Sequence, residues 1–326
     1  MRNFDYIRAE SVDFAVAALQ AGDTTSLLAG GTDLVPLMKD ELAAPGTVVD
    51  ISGLSALDYV EEREGRLHIG ALTRLRDLAT HPIVSDRYSA LAEACKLAAT
   101  PQLRNMSTIA GNLLQQPRCW YYRGEHNCWL KGGEVCYARQ GENELHAIFL
   151  NSPGESRCVS VHPSDPAVAL LLFDTVVRYR TAAGDSEVAL RDLYDRPTPE
   201  RRNSVVLPAD AVITEVVVGP TEAGRSTYLK AMPRASWAFA LVSVGLYVRI
   251  DDGRIAEAKV GLGGVAPVPL RSADVEALVV GQVPGAVDAE QLADTLVAGA
   301  APLSKNGYKV PLLRGLFKQA LAAVIS

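Results

Sequence analysis

Apolar positions in the first segment recur at helical spacing. Val12, Ala15, Ala18 and Leu19 follow Ser11, a residue type that caps helices, and Gly22 stops the run. SLLAGG then leads into TDLVPLMKDEL, a pattern of strand, glycine turn and helix start, before the β-branched run TVVDIS. Residues 1–56 are therefore expected to form a small βαβ unit. RLHIGALTR alternates as a strand, Thr73 is placed to cap a short helix, and Asp86 to Ala99 reads as a longer one. Between Met106 and His162 periodicity disappears, so this stretch is expected to be organised by something other than an apolar face. An amphipathic helix from Ser164 leads to the strands TVVRYR and AVITEVVVG. Beyond Gly224 come the long alternating strands STYLKAMPRAS, FALVSVGLYVRI and RIAEAKVGLGGV. Helices follow from Asp274 and Ala289, and a last one over Val310 to Ile325 places Leu313, Leu316, Phe317, Ala320, Leu321 and Val324 on one side. The change of pattern sets a boundary near residue 222, giving units of 1–222 and 223–326.

A length of 326 residues fits two domains, and 48% hydrophobic with 21% charged residues is ordinary globular composition. The net charge of -6, with no block of Lys or Arg, excludes a nucleic-acid partner. MRNFDYIRAE lacks the apolar core of a signal peptide, and no run of about 18 apolar residues could span a bilayer. A cytoplasmic chain without membrane insertion is expected.

Four of the five cysteines, Cys119, Cys128, Cys136 and Cys158, fall within 40 residues, while Cys95 stands apart among Ala and Leu in a helical pattern. In a reducing compartment such clustering points to a metal more than to disulfides. The paired knuckles of zinc sites are absent, whereas iron–sulfur clusters accept widely spaced thiolates. On spacing alone an iron–sulfur cluster, a zinc site and free thiols all stay open. Gly124, Gly132 and Gly133 would let the backbone turn toward a cluster, and Trp120, Tyr121, Tyr122 and Trp129 could shield it from water. His126, His146 and His162 are expected in surface or packing roles.

Gly30 and Gly31 sit between a strand and a helix, where bare backbone N–H groups could meet a pyrophosphate. The spacing matches neither G-x-G-x-x-G nor the P-loop, and an ordinary turn capped by Thr32 or Asp33 would look the same. STIAGNL, with Ser107, Thr108 and Gly111, forms a second such turn. Together the two could grip one extended diphosphate.

LLAGGTDLVPLMK, QLRNMSTIAGNL, VHPSDPAVALL, YLKAMPRASWAFALVSV and GLGGVAPVPLR, in this order, closely resemble the FAD-binding subunit of molybdenum hydroxylases, the xanthine dehydrogenase and carbon monoxide dehydrogenase family. The resemblance covers nearly the whole chain. It implies an α+β fold: a vanillyl-alcohol-oxidase (PCMH)-type FAD domain of two α/β subdomains, and a C-terminal domain. Leu27, Leu28, Ala29, Gly30, Gly31, Thr32, Asp33 and Leu34 would hold the FAD pyrophosphate, helped by Thr108 and the turn Ala110-Gly111-Asn112. Asp165 would contact the ribose or diphosphate region. Val212 or Ile213 would offer backbone contacts, and Lys230 would lie near the flavin ring, although by pattern alone it reads as a solvated strand residue.

The cysteine-bearing insertion, residues 115–160, is similar to that of periplasmic aldehyde oxidoreductases and 4-hydroxybenzoyl-CoA reductase. There it carries a [4Fe-4S] cluster, which would make Cys119, Cys128, Cys136 and Cys158 the ligands. The implied task is electron transfer between a [2Fe-2S] small subunit and an external acceptor. Substrate chemistry would belong to a molybdopterin-binding large subunit, and no catalytic acid, base or nucleophile is assigned here. Some relatives reach the periplasm folded, carried by a signal on a partner. A freestanding FAD oxidase and a zinc-stapled binding protein are the competing readings.

Overall fold

The computed structural model describes residues 1–22, 24–150, 156–221 and 224–326. The boundary expected near residue 222 lies outside the described residues. Three sheets organise the chain. The first contains β1 (Asp5–Arg8), β2 (Thr25–Leu28) and β3 (Thr47–Asp50), all parallel in the order β1-β3-β2, with α1 (Val12–Ala21) and α2 (Leu34–Lys39) as connections. Ser11 caps α1 by accepting from the Phe14 N–H at 3.1 Å, and Gly22 ends it. Ala15 and Val16 bury against Val49, Ile51 and Leu57, and the same small core takes in Leu72 and Val212 from the next layer.

The second sheet is antiparallel, in the order β4-β5-β8-β6-β7: β4 (Val60–Arg63), β5 (Arg66–Gly70), β6 (Val176–Thr181), β7 (Gly184–Ala189) and β8 (Val212–Val218). Its helices are α3 (Leu75–Thr80), α4 (Pro82–Arg87), α5 (Ser89–Leu97), α6 (Pro101–Arg104), α7 (Ile109–Leu113), α8 (Trp120–Arg123) and α9 (Asp165–Leu170). Thr73 does not cap α3, because Arg74 is the N-cap and the Thr73 hydroxyl donates to the Tyr59 carbonyl at 2.8 Å. The helix expected over Asp86 to Ala99 is two, separated at Tyr88. The helix after Ser164 is not amphipathic: all six residues of α9 are buried, since it packs against α5, α7 and the third sheet.

That sheet has the order β12-β11-β10-β9, with β9 (Arg225–Ala231), β10 (Val242–Asp251), β11 (Arg254–Gly263) and β12 (Leu270–Arg271) antiparallel. One face is covered by α10 (Ala273–Val279), α11 (Ala289–Val297) and α12 (Lys309–Ile325). Leu313, Phe317, Ala320, Leu321 and Val324 of α12 are buried against Val244, Leu246 and Val260, with Leu316 half-buried at the margin. The alternation of STYLKAMPRAS stops at Ala231, and MPRAS is loop. The edge strand β9 is tied to α5 of the middle layer. Glu93 accepts from the Tyr228 N–H at 2.6 Å and the Thr227 hydroxyl at 3.1 Å, and the Ser89 hydroxyl donates to the Ser226 carbonyl at 2.6 Å.

The stretch 106–150 has little regular structure beyond α7, α8 and two single 3-10 turns, as its lack of periodicity predicts. Among the described residues no helix is long and apolar enough to cross a membrane. The α+β class follows: a parallel βαβ unit, an antiparallel middle sheet with its helices, and a C-terminal antiparallel sheet with helices on one face.

Candidate functional site

Two turns that are far apart in sequence meet in space. Gly31 has φ +69, a backbone state that favours glycine, and it carries the chain from β2 into α2. At Gly30 a Cβ would lie 1.8 Å from the Met106 carbonyl oxygen, so only glycine allows the first turn to press against the second. The Thr32 and Ser107 hydroxyls are 2.9 Å apart across the same contact. Thr108 caps α7, its hydroxyl accepting from the Gly111 N–H at 3.2 Å. Between the turns lies a cavity of about 530 Å³, a size suited to part of a dinucleotide. Leu27, Ala29, Gly30, Gly31, Thr32, Asp33, Leu34, Thr108, Ala110 and Gly111 line it, with Val212 and Ile213 opposite.

Four residues expected here do not line this cavity. Leu28 pairs with Asp50 in the sheet, and Asn112 accepts a 2.6 Å hydrogen bond from the Ser164 hydroxyl. Asp165 and Lys230 are brought to each other instead. Lys230 Nζ donates to Asp165 Oδ2 at 2.7 Å and to the Leu97 carbonyl at 3.2 Å, while the Tyr228 hydroxyl donates to Asp165 Oδ1 at 2.5 Å. The Lys230 side chain is 1% exposed, so its reading as a solvated strand residue is overturned. Burial pushes the Asp165 carboxyl above its usual range, and Lys230 opposes that rise. Ser164, not Asp165, caps α9, accepting from the Ala167 N–H at 3.1 Å.

Asp165 borders a second, smaller hollow of about 30 Å³ with Arg118, His162, Ser164, Phe239 and Ser243. His162 stacks edge-on against Tyr194, with ring centres 4.6 Å apart, and its Nδ1 accepts from the Ser164 N–H at 3.3 Å. Burial lowers its pKa to about 3, so the ring is neutral at pH 7.

The four clustered cysteines converge. Cys119, Cys128, Cys136 and Cys158 line one small cavity together with Tyr121, Tyr122, Trp129, Tyr137 and Ser160. Gly132, at φ +102, and Gly133, where a Cβ would lie 2.0 Å from the Asn127 carbonyl oxygen, fold the chain back so that Cys128 and Cys136 share it. Tyr121, Tyr122 and Trp129 are the wall that the sequence suggests, whereas Trp120 turns outward and is 38% exposed. All five cysteines are free thiols. Burial raises Cys119 to about 11 and Cys158 to about 12, so both are protonated unless a cation compensates the charge. Among the described residues, no three His, Cys, Asp or Glu side chains converge as they would on a single metal ion. Cys95 lies apart, fully buried in α5.

Several supporting residues escape sequence reasoning. His146 Nε2 is 3.2 Å from Cys119 Sγ, and burial lowers this imidazole to about 4. Arg202 donates to the Trp129 and Gly133 carbonyls at 2.8 Å each, with its guanidinium 5.1 Å from the Trp129 ring centre. Asn306 donates to the His146 and Ala147 carbonyls at 3.1 and 3.0 Å, and the fully buried Lys309 donates to those of Leu145 and Gly264 at 3.0 and 2.8 Å. Asp33 does not cap α2. Its carboxylate accepts from Arg118 at 2.9 Å, from Arg123 at 2.8 Å and from the Gln116 N–H at 2.8 Å.

A glycine-lined cavity of this size on a βαβ unit, followed by an antiparallel sheet with helices, marks an α+β protein with room for part of a dinucleotide, and similarity to known proteins gives its family. The pattern described as "FAD binding domain in molybdopterin dehydrogenase" matches residues 2–221, and that of the "CO dehydrogenase flavoprotein C-terminal domain" matches 227–324. The chain belongs to the FAD-binding medium subunits of the molybdenum hydroxylase family, and is an oxidoreductase subunit of that kind. It is 37% identical to the aldehyde oxidoreductase FAD-binding subunit PaoB of Escherichia coli (strain K12), across 100% of this chain and 98% of that one. It is 26% identical to the nicotinate dehydrogenase FAD-subunit of Eubacterium barkeri, across 100% and 97%. The solved carbon monoxide dehydrogenase of Hydrogenophaga pseudoflava superimposes with a TM-score of 0.77 at 26% identity, covering 99% and 97% of the chains.

Proposed function

We propose that this chain is the electron-transfer component of a heteromeric molybdenum hydroxylase and carries a [4Fe-4S] cluster beside its FAD. The observation that carries the reading is the pair of adjoining sites: a glycine-lined cavity and a hollow enclosed by four thiols, joined by Asp33. The first fits the diphosphate half of FAD. Gly30 lets the Leu27–Leu34 loop press against the second turn, the Thr108 to Gly111 turn faces it across the cavity, and Val212 and Ile213 supply an apolar wall. Asn112 and Asp165 would support that frame through Ser164 and α9, and Lys230 would hold Asp165 in place; none of the three lines the cavity. Bound FAD supplies a group that exchanges electrons singly with iron–sulfur centres and in pairs with other acceptors.

The four thiols line one cavity at wide sequence spacing, which an iron–sulfur cluster accepts, whereas structural zinc sites usually use paired C-x₂₋₄-C knuckles that this chain lacks. Electrons would reach this chain from a [2Fe-2S] small subunit, a molybdopterin-binding large subunit would transform the substrate, and an external acceptor would take the electrons off. Residues 1–222 would be the FAD domain, with the cluster-bearing insertion at 115–160, and residues 223–326 the C-terminal domain.

An anaerobic absorption spectrum with flavin, iron, acid-labile sulfide and zinc quantified per polypeptide tests the proposal. About one FAD with about four iron and four sulfide is the expected result. FAD with zinc, or with no metal, sinks the cluster, and flavin reduction by a substrate in the isolated chain would turn the reading to a freestanding oxidase.

A further inference from the structure

We infer that Asp33 couples the two cofactor sites, so that each cofactor binds more tightly when the other is in place; the inference rests on the proposed FAD and cluster reading. Asp33 belongs to the glycine loop and lines the larger cavity, yet its carboxylate points away into the cysteine-bearing segment. There it meets Arg118 and Arg123, the residues just before Cys119 and at the end of the four-residue helix that follows it. The Gln116 N–H adds a third contact, and Arg123 in turn donates to the Pro117 carbonyl at 2.9 Å and the Gln116 carbonyl at 3.2 Å. One carboxylate, 16% exposed, therefore organises the whole approach to the first cysteine.

The segment has few other ties: Gln115 Nε2 donates to the Asn112 carbonyl at 2.9 Å, the Arg118 guanidinium lies 5.2 Å from the Phe239 ring centre, and Cys119 Sγ is 3.2 Å from His146 Nε2. Residues 114–119 contain no helix or strand, and α8 is a single turn. On the other side, the Ala29 to Asp33 turn is fixed by the Gly30 contact with Met106 and the Thr32 contact with Ser107. A ligand that immobilises this turn also immobilises the carboxylate, and with it both guanidinium groups and Cys119. A cluster that immobilises Cys119 does the same in reverse. Ordering already done by one ligand is not required of the second, and the two affinities must change by the same factor.

The test uses the full chain stripped of flavin, with its cluster intact or lost through Cys158→Ser, titrated with FAD and followed by quenching of flavin fluorescence. Cluster loss is expected to weaken FAD binding about tenfold in the native chain, within the usual range for coupled sites. In Asp33→Asn the ratio between cluster-bearing and cluster-free protein should fall to about one, while Asp33→Glu restores part of it. Arg118→Gln with Arg123→Gln approaches the same contact from the other side and should also abolish the ratio, so the inference does not depend on one variant folding. A native chain that binds FAD equally with and without the cluster, or an Asp33→Asn protein that keeps the native ratio, overturns the inference alone. A chain that never holds FAD or iron overturns the proposed function and the inference with it.

Discussion

Lys230 and Asp165, 65 residues apart in sequence, form a 2.7 Å ion pair with side chains 1% and 7% exposed. The pair pins β9 of the C-terminal sheet to the buried helix α9. Removing the cation alone leaves a buried carboxylate without compensation, a change that costs about 3–5 kcal/mol. Lys230→Met should lose that much stability in urea unfolding, and adding Asp165→Asn should return a large part of it. Native stability in Lys230→Met would show that the pair contributes nothing.

Gly30 and Gly111 both lie in cavity-lining turns but differ in what surrounds them. Alanine at Gly30 would drive its Cβ into the Met106 carbonyl, whereas at Gly111 the nearest atom is the Thr108 hydroxyl at 3.0 Å. Gly30→Ala should lose FAD on gel filtration and about 2 kcal/mol or more of stability, as overpacking against backbone does. Gly111→Ala should keep most of both. Equal flavin content in the two variants would break the link between this contact and cofactor binding.

Cys95→Ser and Cys158→Ser would separate packing from the proposed ligation. Cys95 is enclosed by α5 and its neighbours, while Cys158 opens on the cavity of four thiols. Iron and labile sulfide should be unchanged in the first and lost in the second. Loss in Cys95→Ser with retention in Cys158→Ser would require a different ligand set.

His146 and His162 make stability fall in mild acid. Burial holds their folded pKa values near 4 and 3, below the ordinary 6.5, so the unfolded chain takes up protons first as pH falls. Their contribution is complete above about pH 6.5 and declines by roughly 1.4 kcal/mol per pH unit for each ring as pH falls toward the folded values. His162→Gln should flatten urea-unfolding stability between pH 6 and 4 by about that slope. A variant with the native pH dependence would mean that His162 charges without unfolding.

What the sequence made readable was short-range. Ser11 and Gly22 bracket α1 because caps act within one turn, and the adjacent glycines mark a turn whatever they bind. That the four clustered cysteines meet in space was legible from their clustering, though not what they hold. Ser164 and Asp165, neighbours with the same capping chemistry, take different roles: Ser164 caps α9, and the Asp165 carboxylate meets Lys230, 65 residues away. Asp33 likewise gives up its cap to two arginines about 90 residues on. Alternation put Lys230 on a polar face, and nothing near it in sequence says that the ends of α5 and α9 meet it there. His146 and Arg202 carry no motif, since each acts by reaching a loop from elsewhere in the chain.

The hold that Asn306 and Lys309 take on the carbonyls of residues 145–147 also sets an order of events during synthesis. Those carbonyls find their donors only after about 160 further residues have been made. All four clustered cysteines are therefore translated well before the donors that fasten the neighbouring segment, and the wall beside Cys119 is complete only when the C-terminal layer has packed onto it.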